Sequence, residues 1–535
     1  MRKDWFEDDN EIRLLHRGKR RLLDIVFGRT MVITLLLVLQ IAIMVLGAHY
    51  LGRYYPALTI VLRVMSVAVI IYLVNKSGSA TTKITWIILV MALPAFGVLL
   101  YLFVQLDIGH RYANRRVQES ILSTVQYVPR QTELMAHLRT ELPEVHNLAE
   151  YTLRSGDYPV YENTAVTYYP MGQDKIGALI EALQSAEHFI FLEYFIINPG
   201  EMWNTVLEIL KEKVKEGVEV RLIYDDIGSV FYVPKYYWRE MESYGIKCMA
   251  FNQVVPFLAT IFNNRDHRKI TVIDGKVAYT GGMNLADEYI NARVRFGYWK
   301  DAAIRLTGEC VWSFTSMFLE LWDYILKIES DYTFYRATSM EKHRLQEKIH
   351  ADEKGFVQPY TDSPLDHEDV GENVYLNIIS RAKKYLYIFT PYLIIGSEMR
   401  TALVNAAKSG VDVRLVVPGI PDKKLVYFLT QSNFPYLIKN GVKIYTYTPG
   451  FIHAKCFVSD DVQATVGTVN MDYRSLCLHF ECGVWMYRTR AVLQVKEDAL
   501  KTFAESHEVT LEEFQRKSFL VRTFMGALKL FAPLL

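Results

Sequence analysis

Two short stretches of the 535-residue chain carry the same reactive residues at the same spacing. The first reads HRKITVIDGKVAYTGGMN and fixes His267, Lys269, Asp274, Gly281, Gly282 and Asn284. The second reads HAKCFVSDDVQATVGTVN and fixes His453, Lys455, Asp460, Gly467, Thr468 and Asn470. At average residue usage such a pattern arises by chance on the order of once per ten million positions. The groups suit a phosphodiester. Lys and Asn neutralise and orient the non-bridging oxygens, whose charge grows in the transition state. One His can attack phosphorus as a nucleophile. The other can protonate the leaving alkoxide and then deprotonate an incoming alcohol. This chemistry calls for no metal and no other cofactor, and no metal-ligand spacing stands out in the sequence. A nucleophilic His needs an acceptor on its other ring nitrogen. Asp301 in DAAIRL and Glu481 in ECGVWM, each opening an apolar strand soon after its motif, are the candidates.

The spacing also states what must hold these groups. Residues i and i+2 of a strand face the same way, so His267 and Lys269 share a face, as do His453 and Lys455. Asp274-Gly275 is a hairpin-turn signal, and Gly281-Gly282 lets the backbone approach a ligand closely. Each motif therefore reads as a β-hairpin, with Asp274 and Asp460 as turn and scaffold residues. Upstream, Phe189–Leu192 and Val220–Tyr224 read as buried strands. A helix near Asn204–Glu216 ends at Gly217, a C-cap. The order recurs: SAEHFIFLEYFII resembles AKKYLYIFTPYLII, EGVEVRLIYDDIGS resembles SGVDVRLVVPGIPD, and SYGIKCMAFN resembles KNGVKIYTYT. This predicts two homologous α/β lobes, over residues 150–330 and 365–505, facing each other across one site. Residues 331–364, with the charged run Glu341–Lys354, form a linker. Cys456, Cys477 and Cys482 read as buried and apolar. Asp225-Asp226 reads either as a strand-end turn or as part of the pocket mouth.

Composition adds a membrane. Sixty Lys and Arg against 59 Asp and Glu exclude a polycation that grips nucleic acid by charge alone. The hydrophobic fraction is 51% and the mean hydropathy +0.07, as expected when an apolar segment is joined to a soluble body. Residues 1–29 are polar and basic. The region 30–110 is expected to hold two to three transmembrane helices, from the apolar runs Met31–Gly52, Pro56–Val74 (which contains Arg63) and Ile84–Leu106. The basic N-terminus and Arg111, Arg115 and Arg116 all ask for the cytoplasmic side, which requires an even number of spans, so the side of the body stays open. Val254–Phe262 reads either as a lipid-dipping loop or as core. Residues 506–535 form a C-terminal amphipathic segment suited to a membrane interface.

The paired motifs resemble the HKD signature of the phospholipase D superfamily, and Asn470, Asp472, Arg474 and Ser475 resemble its N-x-D-x-R-S ending. NNRDHRKITVIDGKVAYTGGMNLADEYI, FGYWKDAAIRLTGE, TWIILVMALPAFGVLLY and LKLFAPLL are similar to bacterial cardiolipin synthases. The resemblance implies an α/β fold of two phospholipase D-like lobes, mixed sheets flanked by helices, that form one active site behind N-terminal transmembrane helices. It implies an enzyme of the bacterial cell membrane, multi-pass, that joins two phosphatidylglycerol molecules into cardiolipin and releases glycerol through a phosphohistidine. His267 would be the nucleophile and His453 the acid and base, with the roles exchangeable in so symmetric a sequence. Lys269, Lys455, Asn284 and Asn470 would hold phosphate. Asp274 and Asp460 complete the signature counted with the catalytic residues. The expected partners are phosphatidylglycerol and membrane lipid, with no nucleic acid and no obligatory protein partner. The same motifs serve hydrolytic phospholipases D, which use water as acceptor and yield phosphatidic acid, and also nucleases, against which the near-neutral charge and apolar N-terminus speak.

Overall fold

The computed structural model of the protein describes residues 29–54, 56–76, 80–105, 124–156, 158–253, 264–336, 355–366, 368–529 and 532. The basic segment before Arg29, the apolar run 254–262 and most of the linker lie outside the described residues. Two compact units separate, one around the N-terminal helices and one holding both lobes.

Strands β1 (Thr164–Tyr169), β2 (Phe189–Tyr194), β3 (Glu219–Asp225), β4 (Lys247–Phe251), β5 (Arg265–Asp266), β6 (Lys269–Ile273), β7 (Val277–Gly281), β8 (Tyr298–Lys300) and β9 (Ala303–Gly308) belong to the first lobe. The second lobe holds β10 (Phe356–Asp362), β11 (Tyr385–Phe389), β12 (Leu393–Ile394), β13 (Asp412–Pro418), β14 (Lys443–Tyr447), β15 (Gly450–Ile452), β16 (Cys456–Ser459), β17 (Gln463–Gly467), β18 (Met471–Asp472), β19 (His479–Tyr487) and β20 (Ser506–Glu508). The first sheet runs β1-β9-β7-β6-β2-β3-β4, the second β10-β19-β17-β16-β11-β13-β14-β20. Apart from β20, which extends the second sheet, the two orders correspond strand by strand, so the repeat in the sequence is a repeat of topology. Both sheets are mixed: β2, β3 and β4 pair in parallel, while β6 joins β2 antiparallel.

The central strands are buried along their whole length, which is why β2 reads FIFLEY without polar alternation. Helices cover both faces. Glu201–Lys215 buries Met202, Trp203, Val206, Leu207, Ile209 and Leu210, the three-to-four spacing of an amphipathic helix, and stops at Gly217, whose φ is +90°. On the opposite face, Phe318 of the helix Val311–Leu326 stacks on Phe191 with ring centroids 4.5 Å apart. The lobes also exchange strands. β5 pairs in parallel with β19, and β8 with β15. A buried ion pair, Lys300 to Asp498 at 2.6 Å, joins them again, and Tyr168 donates to the same carboxylate at 2.6 Å.

The N-terminal unit consists of helices Arg29–Tyr54, Pro56–Asn75, Ala80–Ala92 and Pro94–Gln105. Over its described side chains, no helix is long and apolar enough to cross a membrane. The expected transmembrane helices are therefore not established by these elements. The third run, read as one span, is instead two short helices. Pro94 has no N–H for the helix ladder, and a Cβ on Gly97 would lie 2.7 Å from the Cα of Val90. The second helix thus folds back on the first. Their outer surfaces are apolar, with Ile43, Ile60, Val64 and Met91 more than half exposed.

Candidate active site

Both motif hairpins form. β6 and β7 pair antiparallel with Thr271 opposite Tyr279, and β16 and β17 with Phe457 opposite Thr465. The turn residues Asp274 and Asp460 adopt φ of 53° and 58°. Each carboxylate also ties its turn to a neighbouring strand. Asp274 accepts from the main-chain N–H groups of Glu187, His188 and Phe189 at 2.7–2.9 Å. Asp460 accepts from Lys383, Lys384 and Tyr385 at 2.7–3.0 Å. Their oxygens thus serve the backbone at the strand ends remote from the histidines.

The strand exchange sets the imidazoles. The main-chain N–H of His267 donates to Phe480 in the second lobe at 2.9 Å, and that of His453 donates to Lys300 in the first at 2.7 Å. This register places each ring against a carboxylate of the opposite lobe. His267 Nδ1 lies 2.8 Å and 3.0 Å from the two oxygens of Glu481. His453 Nδ1 lies 2.7 Å from Asp301 Oδ2. Both carboxylates are fully buried. With Nδ1–H donated to carboxylate, Nε2 is left as a bare lone pair, the atom a nucleophile or base requires. Lys455 Nζ lies 2.8 Å from the Nδ1 that faces Asp301. A ring nitrogen carries one hydrogen, so the ammonium acts there by charge. Both lysines also donate to the main-chain oxygens of their own histidines.

Burial and crowded cations set the protonation states. Burial lowers the His453 pKa to about 4, with Lys455 adding to the fall and Asp301 opposing it. Burial, then Lys269, then His479 push His267 well below the ordinary imidazole range, and Lys455 and His453 contribute, so both motifs act on one electrostatic site. Lys269 is lowered to about 8 and Lys455 to about 7, again chiefly by burial. Burial drives Glu481 well above the ordinary carboxylate range, against Lys269 and a hydrogen bond from Thr468. A site of neutral imidazoles and desolvated ammonium groups suits an incoming anion.

A family described as "Cardiolipin synthase, PLD-like domain" matches residues 179–295 and 375–502, one match per lobe. A second, "Phospholipase_D-nuclease N-terminal", matches residues 64–105. A cardiolipin synthase of Alkalihalophilus pseudofirmus is 32% identical, over 89% of this chain and 92% of its own length. The chain belongs to the bacterial cardiolipin synthases of the phospholipase D superfamily. An uncharacterised protein of Streptococcus mutans is 46% identical over 87% of this chain and 99% of its own. A solved phosphatidylserine synthase of Haemophilus influenzae shares the fold at a TM-score of 0.55 and 14% identity, covering 73% of this chain and all of that one.

Within this cardiolipin synthase frame the two motif asparagines sit in different surroundings. Asn284 is engaged internally: its Oδ1 accepts from Ile196 N at 2.9 Å and its Nδ2 donates to the Tyr289 hydroxyl at 2.7 Å. One of the two Nδ2 hydrogens thus fixes the loop at Tyr289, and the other is left to donate elsewhere. Asn470 is buried, and its Oδ1 has no hydrogen-bond partner among the described residues.

Several site residues escape the motif. Arg265 forms a buried ion pair with Asp225 at 2.9 Å, and Asp225 also accepts from Gly228 N and Asp266 N. Asp225 is therefore a cap and a cation partner, not a pocket-mouth acid. Arg268, facing away from the imidazoles, pairs with buried Glu193 at 2.6 Å. Cys456 and Cys482 are buried, but Cys477 is exposed, against expectation. The third imidazole, His479, lies 5.5 Å from His267 between ring centroids. Among the described residues, His267, His479 and Glu481 bring possible metal-ligand atoms within 4.8 Å of one another. A dication there would displace the His267–Glu481 bond and sit among Lys269, Arg265 and Arg474, so the local charge opposes it.

Proposed function

We propose that the enzyme transfers a phosphatidyl group from one phosphatidylglycerol to a glycerol hydroxyl of a second, giving cardiolipin and free glycerol. The crossed arrangement carries this reading: two buried imidazoles, each with its Nδ1 held by a carboxylate from the other lobe so that Nε2 is the atom left for chemistry, in one electrostatic site with Lys269 and Lys455. His267 Nε2 attacks phosphorus. The bond from phosphorus to the glycerol oxygen breaks, and His453, which took up a proton on Nε2 when the anionic phosphate entered beside Asp301, donates that proton to the oxygen. His267 is then a phosphoimidazolium whose Nδ1–H faces Glu481. In the second half, His453 takes the proton of the incoming glycerol hydroxyl, that oxygen attacks phosphorus, and the nitrogen–phosphorus bond breaks. The enzyme returns to its starting state. Lys269 and Lys455 hold the non-bridging oxygens. The assignment of roles follows the partners. Asp301 raises the affinity of His453 for a proton, as an acid requires, while burial and Lys269 disfavour protonation of His267, as a nucleophile requires.

The membrane part of the reading assigns crossings to Arg29–Tyr54, 26 residues long, and Pro56–Asn75, 20 residues long. Over their described side chains neither is long and apolar enough to cross, so the assignment rests on the apolar runs of the sequence and on backbone lengths that, at about 1.5 Å per residue, match roughly 30 Å of hydrocarbon. The folded-back pair Ala80–Ala92 and Pro94–Gln105 then enters and leaves from one side. Two crossings satisfy the even number that the flanking basic residues require. On the catalytic body, Phe519 and Leu520 of the helix Phe519–Leu528 are 72% and 78% exposed, which supports contact of that helix with lipid.

Product analysis with labelled phosphatidylglycerol as sole lipid tests the function. Cardiolipin and glycerol in equal amounts are expected. Phosphatidic acid as the main product would mean that water is the acceptor and the enzyme a hydrolase.

A further inference from the structure

The two halves of the site are related by a pseudo-two-fold, and one of the positions that break it puts an imidazole beside His267. β8 against β15 sets Trp299 opposite Phe451, two residues before His453. β19 against β5 sets His479 opposite Arg265, two residues before His267. His479 is thus the counterpart of Trp299. His453 sits in an aromatic box of Tyr289, Trp299 and Phe451, with ring centroids 5.5–5.9 Å away. His267 has an imidazole at the equivalent place, 5.5 Å away. The His479 side chain is 11% exposed. Its Nδ1 is buried, has no hydrogen-bond partner among the described residues, and points at Glu481 Oε1 from 3.6 Å. That is about 0.5 Å beyond hydrogen-bond range. A polar atom left unpaired in the interior is unfavourable unless a step of the reaction uses it.

We infer that His479 is a positioning residue for the nucleophile, whose Nδ1–H closes onto Glu481 when His267 is phosphorylated. The inference rests on the phosphatidyl-transfer reading above. Positive charge then appears on the His267 ring, and Glu481 must be ionised to balance it. Burial opposes that ionisation. Lys269 and the Thr468 hydroxyl already favour it, while Asp472 opposes it. A second imidazole N–H adds the missing donor. No proton is gained or lost; His479 stays neutral in the hydrogen-bonded tautomer. It is well suited to that, because burial and the surrounding Arg474, Lys269, Arg265 and Lys423 all disfavour its charged form. The Nε1 of Trp299, at the equivalent place, is likewise buried without a hydrogen-bond partner among the described residues, so what distinguishes His479 is its 3.6 Å approach to Glu481.

The experiment uses the full chain in detergent micelles with radiolabelled phosphatidylglycerol and reads phosphoenzyme formation by rapid quench across pH. His479→Phe is expected to slow that step about tenfold or more and to move its acid limb to higher pH, since Glu481 then ionises less readily. His479→Asn, whose amide places an N–H near the position of Nδ1, is expected to restore the wild-type limb and most of the rate. If the Phe variant does not fold, His479→Gln serves, because its amide matches Nε2 instead. Equal rates and identical pH limbs across these variants would overturn the inference. Absence of any phosphoenzyme in the wild type would instead overturn the phosphatidyl-transfer reading.

Discussion

Replacing Glu481 by Gln removes one charge and almost no volume at the point where the nucleophile is held. In the resting site the change is mild, because an amide oxygen still accepts the His267 Nδ1–H. In the phosphoenzyme it is not. A phosphoimidazolium 2.8 Å from a carboxylate gains about 6 kcal/mol at an effective dielectric near 20, before the loss of hydration is subtracted. What survives that subtraction for charge-assisted hydrogen bonds is about 1.5–3 kcal/mol. Glu481→Gln is therefore expected to slow phosphoenzyme formation about 10- to 150-fold. Stability moves the other way. Folding raises the Glu481 pKa, so its stabilising contribution is full below the unfolded carboxyl value and is lost as pH rises through the folded one. At pH 8 the Gln variant should melt at or above the wild-type temperature, and this advantage should vanish towards pH 4. Rapid-quench kinetics and thermal melts on one preparation read both effects. A Gln variant with the wild-type rate of phosphoenzyme formation would refute the charge-balancing role, and a slow variant that also melts lower at pH 8 would mean that the carboxylate is structural.

Asp301→Asn should act on the acid, not on the nucleophile: turnover of phosphatidylglycerol should fall about 10- to 100-fold, and a substrate with a p-nitrophenol leaving group, which needs no proton, should largely recover it. The fall of the His453 pKa from 6.5 to about 4 on folding means that the folded state binds fewer protons across that window. Stability should therefore drop on the order of 3 kcal/mol as pH falls from 6.5 to 4, and His453→Gln should flatten that slope in denaturant titrations. Asp274→Ala removes the acceptor of three main-chain N–H groups and should destabilise the first lobe by roughly 2–4 kcal/mol. Asp274→Asn, which tolerates the left-handed turn, should lose less, as judged by thermal melts.

What the sequence makes legible is local or repeated. The motif spacing specifies the hairpins because strand alternation and an Asp-Gly turn leave little freedom between His267 and Asn284. The duplicated text specifies the duplicated sheet order because each half must bury the same apolar strands. Pairing across the lobes is different in kind. The sequence offers Asp301 and Glu481 as acceptors, but nothing near His267 says that its own is Glu481, more than two hundred residues on, because the contact is made by register between β5 and β19. His479 is invisible for the same reason: as text it is one polar residue before a strand, and only the comparison with Trp299 gives it meaning. Asn284 carries a second duty that its motif position does not announce: one hydrogen of its amide is given to a tyrosine five residues later. At Pro94 the hydropathy of a continuous run conceals a break that the missing N–H makes inevitable.

The crossed carboxylates also bear on the order in which the protein can be made. A ribosome releases His267 and Asp301 with the first half of the chain, long before Glu481 and His453 exist. Until the last sheet is translated, the first lobe holds a histidine without its acid and an acid without its histidine, inside walls that shed water. Chemical competence then arrives at a single moment, when β19 docks on β5, and a truncated or stalled chain would be inert instead of partly active. A nascent enzyme that cannot cut lipid until it is finished is a safe thing to assemble against the membrane it will modify.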